Sequence, residues 1–431
     1  MAKQILIVGG GYVGLYAALE LQRTVSRDVA ITLVSPESYM TYQPFLPEAA
    51  AGSLEPRHVV VALRRVLPRV RVVNGSVSGV RHDDRRATIT PLEGEPYDVE
   101  YDDIVLAVGS VARTLPIPGL AENAIGFKTV EEAIYLRNQV LECLDIAASA
   151  TDSARKREQL TFVFVGAGYA GIEALAELED LARYACRYYP TVSPADMRWV
   201  MVDAADRILP ELSPGLARYT VEQLESRGIE VLVATRLESA TDNEIVLSDG
   251  QRFQAATLVW TAGVKANPVV NVTGMPLDER GRIAADEFLR VRGVGGAWTA
   301  GDCAGVPDLA SGGFCAPTAQ HAVRQARRLG QNLAAHINGR APTAYRHKNV
   351  GSVASLGLYK GVAEVYGIRL RGFPAWFMHR TYHVSRVPTL NRKVRVLLDW
   401  TTALFFRRDV VSLGALHRPR AAFAKSNPRL P

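Results

Sequence analysis

The sequence predicts an α/β protein made of two similar strand-turn-helix units, followed by a C-terminal amphipathic segment. Three observations predict it. The stretch GGGYVGLYAALEL at 9–21 returns as GAGYAGIEALAEL at 166–178. Each copy follows a run of apolar, largely β-branched or aromatic residues, QILIV and TFVFV, and each opens a helical pattern. The basic charge gathers at the far end: residues 369–431 hold 13 Lys/Arg against 2 Asp/Glu, a surplus of 11 in a chain whose formal charge is +6, which leaves −5 before it.

The bulk numbers bound the rest. A chain of 431 residues with 48% hydrophobic content can bury two or three cores and has an ordinary globular composition, not that of a disordered or fibrous protein. MAKQILIVGGG enters a strand pattern at once, without a basic n-region, an apolar h-region or a cleavage site, so nothing points to export and a reducing cytoplasm is expected. Cys143, Cys186, Cys303 and Cys315 stand too far apart for CxxC redox or zinc spacing. No stretch reaches the ~20 apolar residues that cross a bilayer.

The repeated turn needs its context to mean anything. Glycines at Gly9, Gly11 and Gly14, and again at Gly166, Gly168 and Gly171, allow a tight turn and a close approach of backbone to a pyrophosphate, whose charge then sits on a helix N-terminus. Two such turns, each placed between strand and helix, predict two Rossmann-like dinucleotide-binding domains. Each unit should end its second strand near an adenosine ribose. MRWVMVDAADRILPEL supplies Asp203, which accepts ribose hydroxyls and repels a 2′-phosphate, favouring NADH over NADPH, although Arg207 lies near. VAITLVSPES puts Ser35 at the equivalent place, with Glu37 two residues on, and either can serve.

Aligned residue for residue, Tyr16 in the first helix corresponds to Glu173 in the second. Glu173 either complements the helix dipole or stands beside a nicotinamide. YDDIVLAVGS (101–110) reads as an acid-led turn into a buried strand, and AWTAGDCAGV (297–306) as another strand ending in Gly-Asp. Asp302 is the candidate to bond a ribityl chain; its alternative is a plain turn-forming Asp. In CAPTAQHAVRQA (315–326), Pro317 suits a first helical turn, so a helix is expected from about Pro317–Thr318, its free N–H groups pointing outward. Cys303 and Cys315 read as small buried residues, the common fate of free Cys.

In the basic tail, Leu390, Val394, Leu397, Leu398, Thr401, Leu404 and Phe405 fall on one helical face, flanked by Arg392, Lys393, Arg395, Arg407 and Arg408. FPAWFMHRTYHVSRV (373–387) adds aromatics suited to an interface. The stripe packs on the chain's own core, on a second copy, or on an anionic membrane surface; the +11 balance favours lipid. A nucleic-acid partner fits poorly, because no recognition motif accompanies the charge.

The order of motifs resembles the type II NADH:quinone oxidoreductases, a branch of the two-dinucleotide-binding flavoproteins. The likeness is carried by GxGxxG at 9–14, YQPFLPEAAAGSL (42–54), DDIVLAVGS, GFKTVEEAIYLRNQVLE (126–142), VGAGYAGIE, WTAGVKANP (260–268), AGDCA and PTAQHAVRQA, and it runs from about residue 3 to residue 415. It implies FAD in the first unit, NADH in the second, and a quinone reduced without proton pumping at the cytoplasmic face of the cell membrane by a monotopic enzyme. It assigns FAD contacts to Gly9, Gly11, Tyr12, Val13, Gly14, Ser35, Pro44, Val77, Ala107, Gly109, Gly301, Asp302, Ala319 and Gln320. NADH contacts fall to Gly166, Gly168, Ala170, Gly171, Glu173, Asp203, Ala262 and Gly263. Glu173 and Gln320 are the expected catalytic residues, and Gln320 and Gln325 lie toward the quinone. No metal is implied. The helix beginning near Pro317 would face the isoalloxazine and stabilise the anionic reduced ring.

The sequence departs from the family pattern at two places: Ser35 stands where an acid is usual, and Tyr169-Ala170 where Pro-Thr is common. The expected partition is an FAD domain over 1–115 and 266–345, an inserted NADH domain over 116–265, and a membrane-anchoring or dimerisation segment over 346–431. Whether two copies pair as a homodimer is left open. Two other readings share the fold: a sulfide:quinone oxidoreductase-like enzyme, and an apoptosis-inducing-factor-like flavoprotein whose main work is binding.

Overall fold

A computed structural model describes residues 3–347, 351–406 and 408–414. Along the chain its principal strands are β1 (Gln4–Val8), β2 (Ala30–Ser35), β3 (Arg71–Arg81), β4 (Arg86–Pro91), β5 (Tyr97–Glu100), β6 (Asp103–Leu106), β7 (Ala124–Gly126), β8 (Thr161–Val165), β9 (Arg198–Val202), β10 (Ile229–Leu232), β11 (Thr257–Trp260), β12 (Ala297–Thr299), β13 (Gly351–Ser355), β14 (Gly361–Val365) and β15 (Ile368–Arg371). The helices that matter for the site are α1 (Tyr12–Thr24), α2 (Leu46–Ala50), α3 (Val130–Ser149), α4 (Tyr169–Ala185), α5 (Ala319–Ile337), α6 (Phe373–Arg386) and α7 (Leu390–Phe405).

The chain forms two compact units. The first comprises 1–41, 60–113 and 264–349, the second 42–59, 114–263 and 350–431. In the first, the sheet order is β12-β6-β1-β2-β3-β4-β5. Strand β1 pairs in parallel with β2 on one side and β6 on the other, so Val8 stands between Val34 and Leu106. A chain that leaves β1 for one neighbour and returns beside it on the other creates a switch point, with room for a ligand at the carboxyl ends of the strands. Strand interiors such as Ile5, Ile7, Leu33 and Val105 are fully buried, each burial contributing roughly 1.5–3 kcal/mol. Helices α1 and α5 cover one face of this sheet through the alanines Ala17, Ala18, Ala322 and Ala326. Their backbones approach so closely that a Cβ on Gly330 would stand 2.7 Å from Cβ of Glu20.

The second unit repeats the plan with a five-stranded sheet, β7-β11-β8-β9-β10, in which every pairing is parallel. Strand β8 takes the central place, Val165 standing between Val202 and Trp260. Helix α3 begins with a capping box: Thr129 Oγ1 accepts the Glu132 N–H, and Glu132 returns to the Thr129 N–H. Strands β13, β14 and β15 form an antiparallel sheet beside α6.

One segment sits differently from the expected partition. Residues 42–59 group with the second unit, although they fall inside the span 1–115. Helix α2 packs on α3 and α4, and polar pairing with the C-terminal helices adds to that attachment. The Tyr42 hydroxyl donates to the His383 carbonyl at 3.1 Å, Arg380 Nη2 donates to Glu48 Oε2 at 2.8 Å, and Trp400 Nε1 donates to the same oxygen at 2.7 Å. Asp399 adds a contact to His58 Nδ1 at 2.6 Å and accepts the Glu55 N–H at 3.1 Å.

The expected amphipathic stripe is a helix. Its apolar side points outward: Leu390, Leu398, Leu404 and Phe405 are 76%, 57%, 68% and 78% exposed, while Val396 on the opposite side is fully buried. Arg407 and residues 415–431 lie outside the described residues. Among the described residues no helix is long and apolar enough to cross a membrane.

Candidate functional site

Both glycine turns close at the carboxyl end of a central strand, and in both the first and third glycines serve packing. Gly9 has φ +107°, and a Cβ there would stand 2.3 Å from the Ala107 carbonyl oxygen. A Cβ on Gly14 would stand 1.8 Å from the Gly9 carbonyl oxygen. Gly166 (φ +110°) and Gly171 repeat this, with Cβ positions 2.6 Å from the Ala262 nitrogen and 2.0 Å from the Gly166 oxygen. The middle glycines differ: at Gly11 and Gly168 a Cβ would meet nothing within 4 Å. Each turn is therefore jammed against its own sheet and open toward solvent at the helix N-terminus, the shape that admits a pyrophosphate.

Around the first turn, Tyr12 and Val13 begin α1, and a Cβ on Gly301 (φ +76°) would stand 2.6 Å from Val13 Cγ2. The Gly301-Asp302 corner thus lies against the glycine turn. Ser110 Oγ donates to Asp302 Oδ2 at 2.6 Å, which aims a carboxylate and a hydroxyl together beside Gly109. Ser35 is buried under Gly10, whose Cβ would stand 2.7 Å from its Oγ, while Glu37 is exposed. The serine forms the floor of the turn beneath Gly10.

Helix α5 begins at Ala319, one to two residues later than the expected start at about Pro317–Thr318. Thr318 takes an extended conformation and its hydroxyl accepts the His321 N–H, so Thr318 caps the helix and Pro317 precedes the cap. Gln320 is partly exposed in the first turn, its Oε1 accepting from Arg324 Nη1 at 3.2 Å. Gln325 departs from expectation. It is 1% exposed and its Oε1 accepts the Gly301 N–H at 2.8 Å, so it positions the Gly-Asp corner from inside the fold and its carbonyl is not available to a quinone. Val77 is likewise inward, its side chain in the core with Leu6, Val34 and Ile89, which leaves its backbone to meet a ligand. Pro44 belongs to the second unit.

Around the second turn, Thr261 Oγ1 donates to the Gly166 carbonyl at 2.8 Å, and Ala262 and the open Gly263 follow it. Asp203 ends β9 with one oxygen accepting the Ala167 N–H and the other the Ala205 N–H at 2.8 Å. It pins the turn from the neighbouring strand while each oxygen keeps a further lone pair. Ala170 is exposed at the start of α4. Glu173, one turn in, is buried: its Oε1 accepts the Ser355 N–H at 2.8 Å and stands 3.0 Å from His379 Nε2. Sequence reading missed Ser355 and His379, along with Glu48 and Glu177, and it set Arg408 beside the apolar stripe, whereas the structure pairs it with Glu177 at 2.9 Å. The one visible signal was the spacing of His379 and His383, which puts both on a single face of a helix.

The four cysteines are buried. Burial raises the Cys303 pKa, and it pushes Cys315 up to about 11. Cys303 Sγ donates to the Ala300 carbonyl at 3.5 Å. These are packed thiols, unsuited to act as thiolate nucleophiles.

Comparison with known proteins agrees with this geometry. Residues 3–326 match the family described as pyridine nucleotide-disulphide oxidoreductase. The type II NADH:quinone oxidoreductase of Staphylococcus epidermidis is 30% identical over 393 residues, covering 90% of this chain and 96% of that one. The chain belongs to the type II NADH:quinone oxidoreductases of the pyridine nucleotide-disulphide oxidoreductase family. A probable NADH dehydrogenase of Dictyostelium discoideum is 28% identical over 418 residues, covering 95% of this chain and 91% of that one. In fold, the chain is similar to a structure of NDH2 from Plasmodium falciparum in complex with NADH, with a TM-score of 0.89 at 18% identity over 95% of this chain and all of the other.

Proposed function

We propose that this chain is a non-proton-pumping NADH:quinone oxidoreductase that holds FAD in its first glycine turn and NADH in its second, and passes two electrons to a membrane quinone. The observation that carries the reading is the pair of turns, each at a switch point and each open at its middle glycine. The first turn fits FAD on its own geometry. The glycines Gly9 and Gly14 let the turn close tightly on backbone, the space at Gly11 is open, and Asp302 with Ser110 offers acceptor and hydroxyl to a polyol. FAD, when bound, supplies the two-electron carrier between nicotinamide and quinone.

The chain's own groups then have distinct tasks. Gly9, Gly11, Tyr12, Val13 and Gly14 present backbone to the pyrophosphate, and Gln325 holds the Gly301-Asp302 corner in place. The N-terminal end of α5 offers positive potential to developing negative charge, and Gln320 is the side chain proposed to meet a quinone headgroup. Asp203 accepts ribose hydroxyls of NADH, and Glu173 handles a proton near the reacting end. Purified protein is expected to be yellow; NADH added without oxygen should bleach it, and a soluble quinone analogue should restore the colour. Colourless protein, or colour that never returns, would end the reading.

Asp203→Ala tests the donor side. Loss of an ionic hydrogen bond corresponds to about 1.5–3 kcal/mol, so kcat/KM for NADH should fall about 10- to 100-fold, and the preference over NADPH should shrink. Steady-state kinetics with both nucleotides measure it.

The outward apolar side of α7 gives a soluble fold access to a lipid substrate, laid in the headgroup plane on the cytoplasmic face of the membrane. Arg392, Lys393 and Arg395 flank it, each contributing ~1 kcal/mol near anionic lipid. A Leu397→Glu, Leu404→Glu variant should stay in the supernatant when spun with anionic vesicles that pull down the parent protein.

A further inference from the structure

A cavity of about 270 Å³ lies in the first unit, between the sheet face of β1, β2 and β3 and the strand β5 that folds back over it. Its origin is in the register. Strand β3 pairs in parallel with β2 at its start and antiparallel with β4 further on. Strands β4 and β5 thus form a second layer, and Ala87 and Ile89 of β4 share a core with Leu6, Val8 and Val34 of the sheet. Toward the start of the parallel strands the layers part. Leu6, Thr32 and Arg71 stand abreast in neighbouring strands and point to the same face. Gln4, two residues before Leu6, and Val73, two after Arg71, share that face. Tyr97 and Val99 of β5 line the opposite wall, with Glu100 at the rim.

Three polar residues between two layers call for a reason. A sheet face covered by a second layer is ordinarily apolar, and Leu6 and Val34 follow that rule. Among the described residues, the side chains of Gln4, Thr32 and Arg71 and the Tyr97 hydroxyl make no hydrogen bond. Arg71 forms no salt bridge either, and Glu100 is already matched: Arg86 Nη2 donates to its Oε1 at 2.6 Å. An amide, two hydroxyls and an unmatched guanidinium therefore converge on a space walled by Leu6, Val73 and Val99.

We propose that this cavity is a binding site for a small monocarboxylate with a hydrocarbon body, about the size of benzoate. The guanidinium fork of Arg71 matches a carboxylate through two parallel N–H···O bonds. Gln4 and Thr32 add neutral donors to the same oxygens, and the leucine and valines cover the hydrocarbon. Size excludes larger classes: pockets for drug-sized molecules begin at about 300 Å³, so a nucleotide does not fit. Gln4 and Arg71 are exposed, which leaves the charged end open to an entering anion. The site stands apart from the first glycine turn, since Gln4 opens β1 and Gly9 follows its other end, roughly 17 Å away at ~3.3 Å per residue. The proposal goes beyond the function proposed above and does not rest on it.

Fluorine NMR of 4-fluorobenzoate titrated with the full chain tests the site. The parent protein should shift and broaden the signal saturably. Arg71→Gln should weaken binding about 10- to 100-fold, the scale of a lost hydrogen bond to a charged group, with the melting temperature unchanged because Arg71 holds no other residue. The uncharged 4-fluorobenzamide should bind the parent at least about 10-fold more weakly than the acid. Thr32→Leu fills the space with hydrocarbon; it should abolish binding and leave the protein no less stable than the parent. Should Thr32→Leu not fold, Arg71→Gln and the amide carry the same expectation. No saturable binding by the parent overturns the proposal. So does binding that Arg71→Gln leaves unchanged, or an amide that binds as tightly as the acid.

Discussion

Gly14→Val is expected to yield a protein that unfolds early and carries no flavin, whereas Gly11→Ala should fold normally and still lose most of it. The two positions lie in one turn, yet their surroundings oppose each other. At Gly14 a Cβ would stand 1.8 Å from the Gly9 carbonyl oxygen, a backbone atom itself held by the Gly9 N–H bond to the Val34 carbonyl. Neither group can retreat without breaking the parallel pairing of β1 with β2, so the cost should reach about 3 kcal/mol or more, the upper range of core overpacking. At Gly11 a methyl group meets nothing within 4 Å, so the only thing it can obstruct is a ligand. Thermal unfolding separates the first outcome from the second, and flavin absorbance after gel filtration detects both. Gly171 and Gly168 should repeat the contrast for NADH binding, because a Cβ at Gly171 would stand 2.0 Å from the Gly166 oxygen while Gly168 is open.

Glu48→Ala is expected to destabilise the second unit by about 3–5 kcal/mol, the range for removing one partner of a buried ion pair. Glu48 is 2% exposed and accepts from both Arg380 and Trp400. The Arg380 guanidinium lies between the rings of Trp376 and Trp400, 4.2 and 4.7 Å from their centroids. Without the carboxylate, that charge stays buried with only aromatic faces around it. Replacing both partners, Glu48→Leu with Arg380→Met, should recover much of the loss, since the charge and its desolvation disappear together. Chemical denaturation of the single and double variants measures the difference.

How much of this was legible in the sequence follows from how local each signal is. The glycine turns and their strands were legible because strand, turn and helix lie within a few residues, and each glycine answers to an atom close by in the chain, as Gly14 does to Gly9. The position of Asp203 just past its strand was legible, but its bonds to the Ala167 and Ala205 N–H groups were not, because they depend on the turn's folded geometry. The outward stripe on α7 was legible as a helical period. Gln325 was misread because a period places a residue on a helix but not in a hydrogen bond, and its partner is the Gly301 N–H of a different element. The attachment of 42–59 to the second unit was invisible for the same reason: it depends on Glu48 meeting Arg380 and Trp400, which no local pattern links. Glu173 was noticed by comparison of the two repeats, but the groups that hold it, Ser355 and His379, lie in a part of the chain with no counterpart in the repeat.

Helix α7 reverses the usual arrangement of an amphipathic surface helix. Its hydrogen-bonding residues, Asp399 and Trp400, are turned toward the protein, and its leucines and Phe405 are turned away. Such a helix stays docked by polar bonds even when its hydrocarbon face is wetted. In aqueous buffer the same face makes a surfactant behave as a stabilising ligand, and the measured melting point becomes a property of the protein and its amphiphile together.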